Sequence, residues 1–349
     1  MFLSKWFRNG RSAALVQSLM PGVTAAVLAG GNDGFRWWAA VLAVAGVGFA
    51  HLALNLADDW FDYKVDMKGD RDRVIRRGFR AMTEKYPYLT DGSETLRSTA
   101  VAIAAFILAA LLCGAAVFIP RTVWSGFTGA DGSWWIVAIV AACAFLGGFY
   151  SAPPLKLAYH GLGELVTGII FGPLLMCGVY YASCGSMEAG IASLSIPVGL
   201  LVCNILFTHS FIDMDSDKES NKMTFARVLG SRKACLACSF ILNLLPFAMV
   251  AAAVCAGMLH PAYLAVFIAL PRALWLCASL LRFSRSKDGR KDVPDYPPLW
   301  LGPMQNDKWE GIRKAGIDWF LMRWFCARNT LSLFCLSIIA VAVILRILS

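Results

Sequence analysis

Apolar runs of about the length that crosses a bilayer recur from one end of this chain to the other. They fall at roughly 12–31, 36–57, 98–119, 134–151, 162–183, 189–212, 235–258, 261–282 and 331–348. A helix needs about 20 apolar residues to span the ~30 Å hydrocarbon layer. The pattern therefore predicts an all-α polytopic membrane protein of about nine transmembrane helices. It reads as one domain over residues 1–349, with a core at 12–283, a cytoplasmic or interfacial segment at 284–330 and a last helix at 331–348. The polar stretches 58–97 and 283–330 are longer than a compact bundle needs for its connections, so they are candidate lids or surface caps.

Composition agrees with the pattern. Of the 349 residues, 58% are hydrophobic and 16% charged, and mean hydropathy is +0.60. A soluble domain carries about 25% charged residues. The net charge of +9 raises the question of nucleic acid, and its distribution answers it. With a cytoplasmic N-terminus, all but four of the 32 Lys and Arg fall on the cytoplasmic side. Arg36, Arg121 and Arg346 fall outside and Arg272 lies within a span. This is the positive-inside pattern, and it speaks against a nucleic-acid partner. The first run follows Lys5, Arg8 and Arg11 and reads as a retained helix rather than a cleaved signal. The 11 cysteines sit mostly in the spans, and the Cys235/Cys238 pair reads as small buried apolar residues.

Two polar stretches carry the chemistry. NLADDWFDYKVD, Asn55–Asp66, leaves the second span, and HSFIDMDSDKESNK, His209–Lys222, leaves the sixth. Four spans separate them, so parity puts both on one side of the membrane. Within each the spacing is four: His51, Asn55 and Asp59, then His209, Asp213 and Asp217, with Asp58 and Asp62 one position over. That spacing stacks side chains on one helical face. A single Asp inside a span costs about 2.5–3.5 kcal/mol, and clustered carboxylates repel one another. Cations relieve both costs. Mg2+ binds one or two carboxylates and completes its shell with water and phosphate oxygens. Asp58, Asp59 and Asp62 opposite Asp213 and Asp217 therefore point to Mg2+ sites flanking a diphosphate. An EF-hand is excluded, because Lys218 and Thr224 stand where that loop needs Gly and Glu.

A third stretch, FYSAPPLKLAYHGLGEL, Phe149–Leu165, lies on the same side. Lys156 is its one strong cation and a candidate phosphate contact, and Tyr150 is a candidate donor. Arg71, Lys218 and Lys222 stand beside the acidic stretches as further candidates for a diphosphate clamp. His51 and His209 are polar groups on the same faces. Arg272 is an intramembrane charge, and such charges default to a functional reading.

NLADDWFD, YSAPPLKLAYHGLGEL and IDMDSDKESNKMTFARVLG together resemble the UbiA superfamily of intramembrane prenyltransferases over roughly residues 12–283. The branch they most resemble is the 1,4-dihydroxy-2-naphthoate polyprenyltransferases of menaquinone synthesis. The resemblance implies nine helices around a central cavity and Mg2+ as cofactor. It implies a polyprenyl diphosphate donor, an aromatic acceptor, surrounding membrane lipid, and a bacterial inner membrane with the site facing the cytoplasm. It also implies that Asn55, Asp59 and Asp62 form one metal motif, that Asp213 and Asp217 form the other, and that Tyr150 and Lys156 contact diphosphate. His209, Ser210 and Ile212 depart from the naphthoate branch, which often has an asparagine pair and an arginine there. Other acceptors, such as 4-hydroxybenzoate or a lipid alcohol, therefore stay open. The segment Gly311–Asn329, apolar and basic by turns, reads as a helix lying in the interface. A cation transporter is disfavoured, because its carboxylates belong near the midplane and these sit at helix mouths.

Overall fold

The computed structural model describes residues 2–66, 86–123, 133–219, 223–285 and 292–348, and among them the regular structure is entirely helical. A short helix, Phe2–Asn9, is followed by nine longer ones. They are α1 (Val16–Ala29), α2 (Trp37–Asp66), α3 (Leu96–Phe118), α4 (Ser133–Gly148) and α5 (Gly163–Cys184), then α6 (Ala189–Ile212), α7 (Arg232–Cys255), α8 (Pro261–Arg285) and α9 (Asp318–Leu348). Eight of these are long and apolar enough to cross a membrane, α1 together with the 3₁₀ turn Ser12–Leu15. The remaining helix, α4, has 16 residues; residues 124–132 before it lie outside the described set. The chain is a multi-pass membrane protein.

Local chemistry explains the helix ends and joins. Thr95 caps α3 by accepting from the Ser98 amide, and the Ser98 side chain returns the bond. Ser231 caps α7 through the Ala234 amide. Pro173 interrupts α5 because it has no N–H to give, and the backbone widens there into a π-turn, Ile170–Leu174. Opposite that turn, Gly168 and Gly172 of α5 meet Gly199 of α6. A Cβ on Gly172 would lie 2.4 Å from the Gly199 Cα. Membrane helices pack by van der Waals contact, and small residues let their backbones meet. Replacing Gly172 with Val is expected to push α5 from α6, cost about 2 kcal/mol or more, and lower the melting temperature of the detergent-solubilised protein. An unchanged melting temperature would show that this contact is not what joins them. The pair α6 and α7 is joined by reciprocal amide bonds between Asn204 and Asn243, at 3.0 and 3.1 Å.

Two cores form. One joins α1 to α5–α9 around residues such as Met176, Phe207, Phe247 and Phe334. The other joins the N-terminal helix to α2 and α3 through Trp6, Leu52, Leu56, Tyr88 and Phe106. Between them lies a cavity of about 2240 Å³, walled by apolar residues of α2–α5. It runs from Arg8 and Arg11 at one end to Arg121 and Ser186 at the other.

The structure corrects the sequence reading in its last quarter. The final helix begins at Asp318, not near 331. Trp319, Phe320, Met322, Phe325 and Cys326 are buried in the bundle, so 318–329 is not an interfacial helix. Arg323 and Arg328 break the apolar run in the sequence, but both have partners. Arg323 is fully buried and donates to Ser279 Oγ at 2.9 Å and to the Trp319 carbonyl at 3.0 Å. Arg272 has partners too: its guanidinium donates to the carbonyls of Trp300 at 2.8 Å and Asn329 at 2.9 Å.

Candidate active site

Helix α2 does not stop where its apolar run stops. It continues through the acidic stretch to Asp66, so Asn55, Asp58, Asp59 and Asp62 are presented in register on its last turns. Asp59 is 0% and Asp62 2% exposed. Such burial is tolerable only with partners. Asp59 accepts from the Tyr88 hydroxyl at 3.1 Å, and the Arg11 guanidinium lies 3.2 Å from its other oxygen. The same Arg11 nitrogen lies 3.3 Å from Asp58 and donates to the Asn55 carbonyl at 3.1 Å. The Asn55 amide donates back to the Gly10 carbonyl at 2.9 Å. Asp58 also accepts from Ser151 Oγ at 2.6 Å, and Asp62 accepts from the Tyr159 hydroxyl. The N-terminal turn, the Tyr86–Leu89 segment and the α4–α5 loop thus all close on the end of α2.

The second stretch leaves α6 differently. Asp213 terminates α6, and Asp217 lies on a short following helix, Met214–Glu219. Both are buried. His209, one turn before, places Nε2 3.0 Å from Asp213 Oδ2. The Arg227 guanidinium donates to the Asp217 carbonyl at 3.3 Å.

The last turns of α2 and α6 face one chamber, α2 through Asp58 and Asp62 and α6 through His209. A small cavity of about 80 Å³ is lined by Asp58, Asp62, Tyr150, Tyr159, Glu164, His209 and Thr224, among others. Asp58, Tyr150, Ser151 and His209 also line the large apolar cavity, so the polar chamber opens onto it. Burial disfavours the Arg11 charge, but Asp59 and then Asp58 outweigh that and keep it protonated. Burial, with Asp59 beside it, pushes the Tyr88 hydroxyl well above the ordinary tyrosine range. Burial and Asp58 do the same to Tyr150. Both phenols therefore stay donors at neutral pH.

Other expected residues stand apart. Lys156, in a left-handed turn with φ 44°, lines neither cavity. Lys218 is exposed, and Asp213 and Asp217 also line neither, Asp213 meeting the chamber through His209. Arg71 and Lys222 lie outside the described residues. His51 is buried on α2 and bonded to Ser18 Oγ at 2.6 Å. Of the aromatic residues beside the acids, Phe61 lines the large cavity, whereas Phe211 packs against Phe207 and Phe283.

Sequence reasoning did not single out Arg11, Tyr88, Tyr159 or Glu164. Glu164 had a signal, as the one carboxylate opening the apolar run of α5. It accepts from Ser210 Oγ and from the Phe225 amide at 3.3 Å, tying α5 to α6 and to the segment after Asp217. Tyr88 had none, because only the fold brings it to Asp59.

The residues present fit a hard divalent cation. Among the described residues no three acidic, His or Cys side chains converge on one point. Mg2+ does not require that, since water and phosphate oxygens complete its shell. The chamber offers carboxylate oxygens from Asp58, Asp62 and Glu164. Thr224 Oγ1 is buried in its wall with no hydrogen-bond partner among the described residues, as expected of a wall that faces a ligand.

Buried carboxylates, protonated phenols and a guanidinium thus cluster at one mouth of a deep apolar cavity in a multi-pass membrane protein. The UbiA prenyltransferase family matches residues 18–293, and the chain belongs to that family. The 2-carboxy-1,4-naphthoquinone phytyltransferase of Synechocystis sp. is 33% identical over 99 residues, 28% of this chain and 32% of that protein. The 1,4-dihydroxy-2-naphthoate octaprenyltransferase of Mycobacterium tuberculosis is 26% identical over 231 residues, 66% of this chain and 71% of that one. The chain thus spans about a third of the first relative's length and under three quarters of the second's. A UbiA homolog from Archaeoglobus fulgidus, solved bound to DMAPP and Mg2+, shares the fold with a TM-score of 0.52 at 17% identity, over 93% of this chain and 99% of that one.

Proposed function

We propose that this protein transfers a polyprenyl group from a polyprenyl diphosphate to an aromatic acceptor, 1,4-dihydroxy-2-naphthoate, with Mg2+, at the cytoplasmic face of a bacterial inner membrane. One observation carries the reading: the carboxylate chamber opens directly onto an apolar cavity of about 2240 Å³. Pockets for ordinary small ligands measure about 300–1,000 Å³. A cavity this large, mostly apolar along its length and with carboxylates gathered at one mouth, suits a prenyl chain with a diphosphate head. The relatives named for a carboxynaphthoquinone and for 1,4-dihydroxy-2-naphthoate support the choice of acceptor.

The chemistry follows from the walls. The C1–O bond of the donor breaks, and its electron pair leaves with the diphosphate. A ring carbon of the acceptor attacks the allylic cation, and the acceptor's carboxyl group leaves as CO2 with the release of one proton. Asp58, Asp59, Asp62, Asp213 and Asp217 would hold Mg2+, which would supply positive charge to the departing diphosphate. Arg11, already at Asp58 and Asp59, adds a fixed positive charge at that mouth. Tyr88 and Tyr150 donate hydrogen bonds. The apolar walls exclude water from the cation, and Phe61 presents a ring to it. Asp213 orients His209, which faces the chamber where the naphthoate branch often has asparagine. That substitution makes the acceptor the part of the reading most in need of testing.

The test uses membranes containing the protein, Mg2+ and polyprenyl diphosphates of several lengths. 1,4-Dihydroxy-2-naphthoate and 4-hydroxybenzoate are supplied in parallel, and prenylated product is followed by mass. Product from the naphthoate, lost on chelation and regained with added Mg2+, is expected. Product from 4-hydroxybenzoate alone would move the acceptor. No product from either would overturn the reading.

A further inference from the structure

The α8–α9 connection does not stay at the membrane surface. Its stretch Tyr296–Met304, YPPLWLGPM, is nine residues without a charge, too short to span a bilayer. Three side chains from the helices reach into it. Arg272 donates to the Trp300 carbonyl, Asn329 to the carbonyls of Leu301 at 2.9 Å and Pro303 at 3.1 Å, and Arg328 to Pro303 at 3.0 Å. Leu301 and Met304 are fully buried against the bundle. Gly302, at φ 91°, makes the bend where Arg272 and Asn329 approach.

The depth of these anchors follows from helix counting. Asn329 lies 11 residues into α9, about 16 Å from its start at 1.5 Å per residue. It lies 17 residues, about 25 Å, before Arg346 in the last turn of α9. The hydrocarbon layer is about 30 Å thick. With Arg346 at the outer edge of that layer, the carbonyls of Trp300–Pro303 fall just inside its inner edge, where unpaired backbone groups are costly. Irregular backbone survives at such depth only when the protein satisfies its polar groups. Two arginines and an asparagine do so here. The outward side is apolar: Leu299 is 86% exposed and Trp300 48%, and Ile268 and Leu274 of α8 are exposed as well. Polar Gln305, Asn306, Asp307 and Lys308 follow, all exposed.

We propose that Tyr296–Met304 is a re-entrant segment that dips into the cytoplasmic leaflet against α8 and α9, with lipid acyl chains covering Leu299 and Trp300. This gives Arg272 a role the sequence could not supply: it anchors the dip.

Purified protein carrying Leu299→Cys or Asp307→Cys, reconstituted sparsely in phosphatidylcholine vesicles, is treated with a membrane-impermeant polyethylene-glycol maleimide. Mass-shifted bands are counted against the parent chain and against protein unfolded in detergent. Both sites lie on the same connection, so vesicle orientation cancels in their ratio. Leu299 is almost uncovered by protein, so any shielding comes from lipid. Labelling at 299 is expected to be at least tenfold slower than at 307, and equal only after denaturation. Equal rates in intact vesicles would place the segment in water and overturn the proposal. Trp300→Cys repeats the test at a second exposed position.

Discussion

Replacing Asp59 with asparagine is expected to lower prenyl transfer by about 10³-fold or more, roughly 4 kcal/mol of transition-state stabilisation. Asp59 is wholly buried, yet two groups aim charge or a proton at it, Arg11 and Tyr88. An amide keeps the shape and still accepts from Tyr88. It removes the negative charge that the proposed metal needs, and with it the electrostatic help to the leaving diphosphate, usually the largest single contribution in such sites. Removing one partner of a buried ion pair costs about 3–5 kcal/mol, but Arg11 retains Asp58 at 3.3 Å. The fold is therefore expected to hold, with a modest drop in melting temperature. Turnover and Mg2+ dependence are measured together in reconstituted vesicles, with Asp59→Glu alongside to keep the charge. Activity of Asp59→Asn within tenfold of the parent would remove Asp59 from the mechanism.

Asp213→Asn is expected to cost about 10²–10³-fold. Asp213 sits at the C-terminus of α6 and pairs with His209, which faces the chamber. Loss of its charge weakens the second metal motif and frees the imidazole to turn. The informative variant is the double one, Asp59→Asn with Asp213→Asn. Groups that act as a unit are strongly non-additive. If both acidic stretches serve one diphosphate, the double variant falls little further than the worse single one. If the two losses multiply, the stretches work independently, and the shared site proposed here is wrong.

The order in which the chain revealed itself has a physical basis. Spacing along one helix is local, so it can be read without a structure. The apolar runs marked the bundle, because only a helix satisfies its own backbone within a bilayer. Asp58, Asp59 and Asp62 share α2, and parity alone set the Asp213 stretch on the same side. The UbiA likeness was legible in the same motifs. What required the tertiary structure was every contact between distant segments. Arg11 looked like a topology signal until the N-terminal turn brought it to Asp59, 48 positions away. Tyr88 had no periodicity to mark it. Lys156 had the right charge in the right loop, but its turn leaves it off both cavities. The stretch from 284 to 330 misled most, since buried arginines interrupt its hydropathy. Composition counts a charge as exposed, whereas packing can pair it, as Arg323 is paired with Ser279 and Arg272 with a dipping backbone. Sequence alone marked most of the helices and the acidic stretches at two of their ends, because these are properties of neighbours along the chain. Only the fold decided which groups hold those acids and how deep the last connection reaches, because these are properties of neighbours in space.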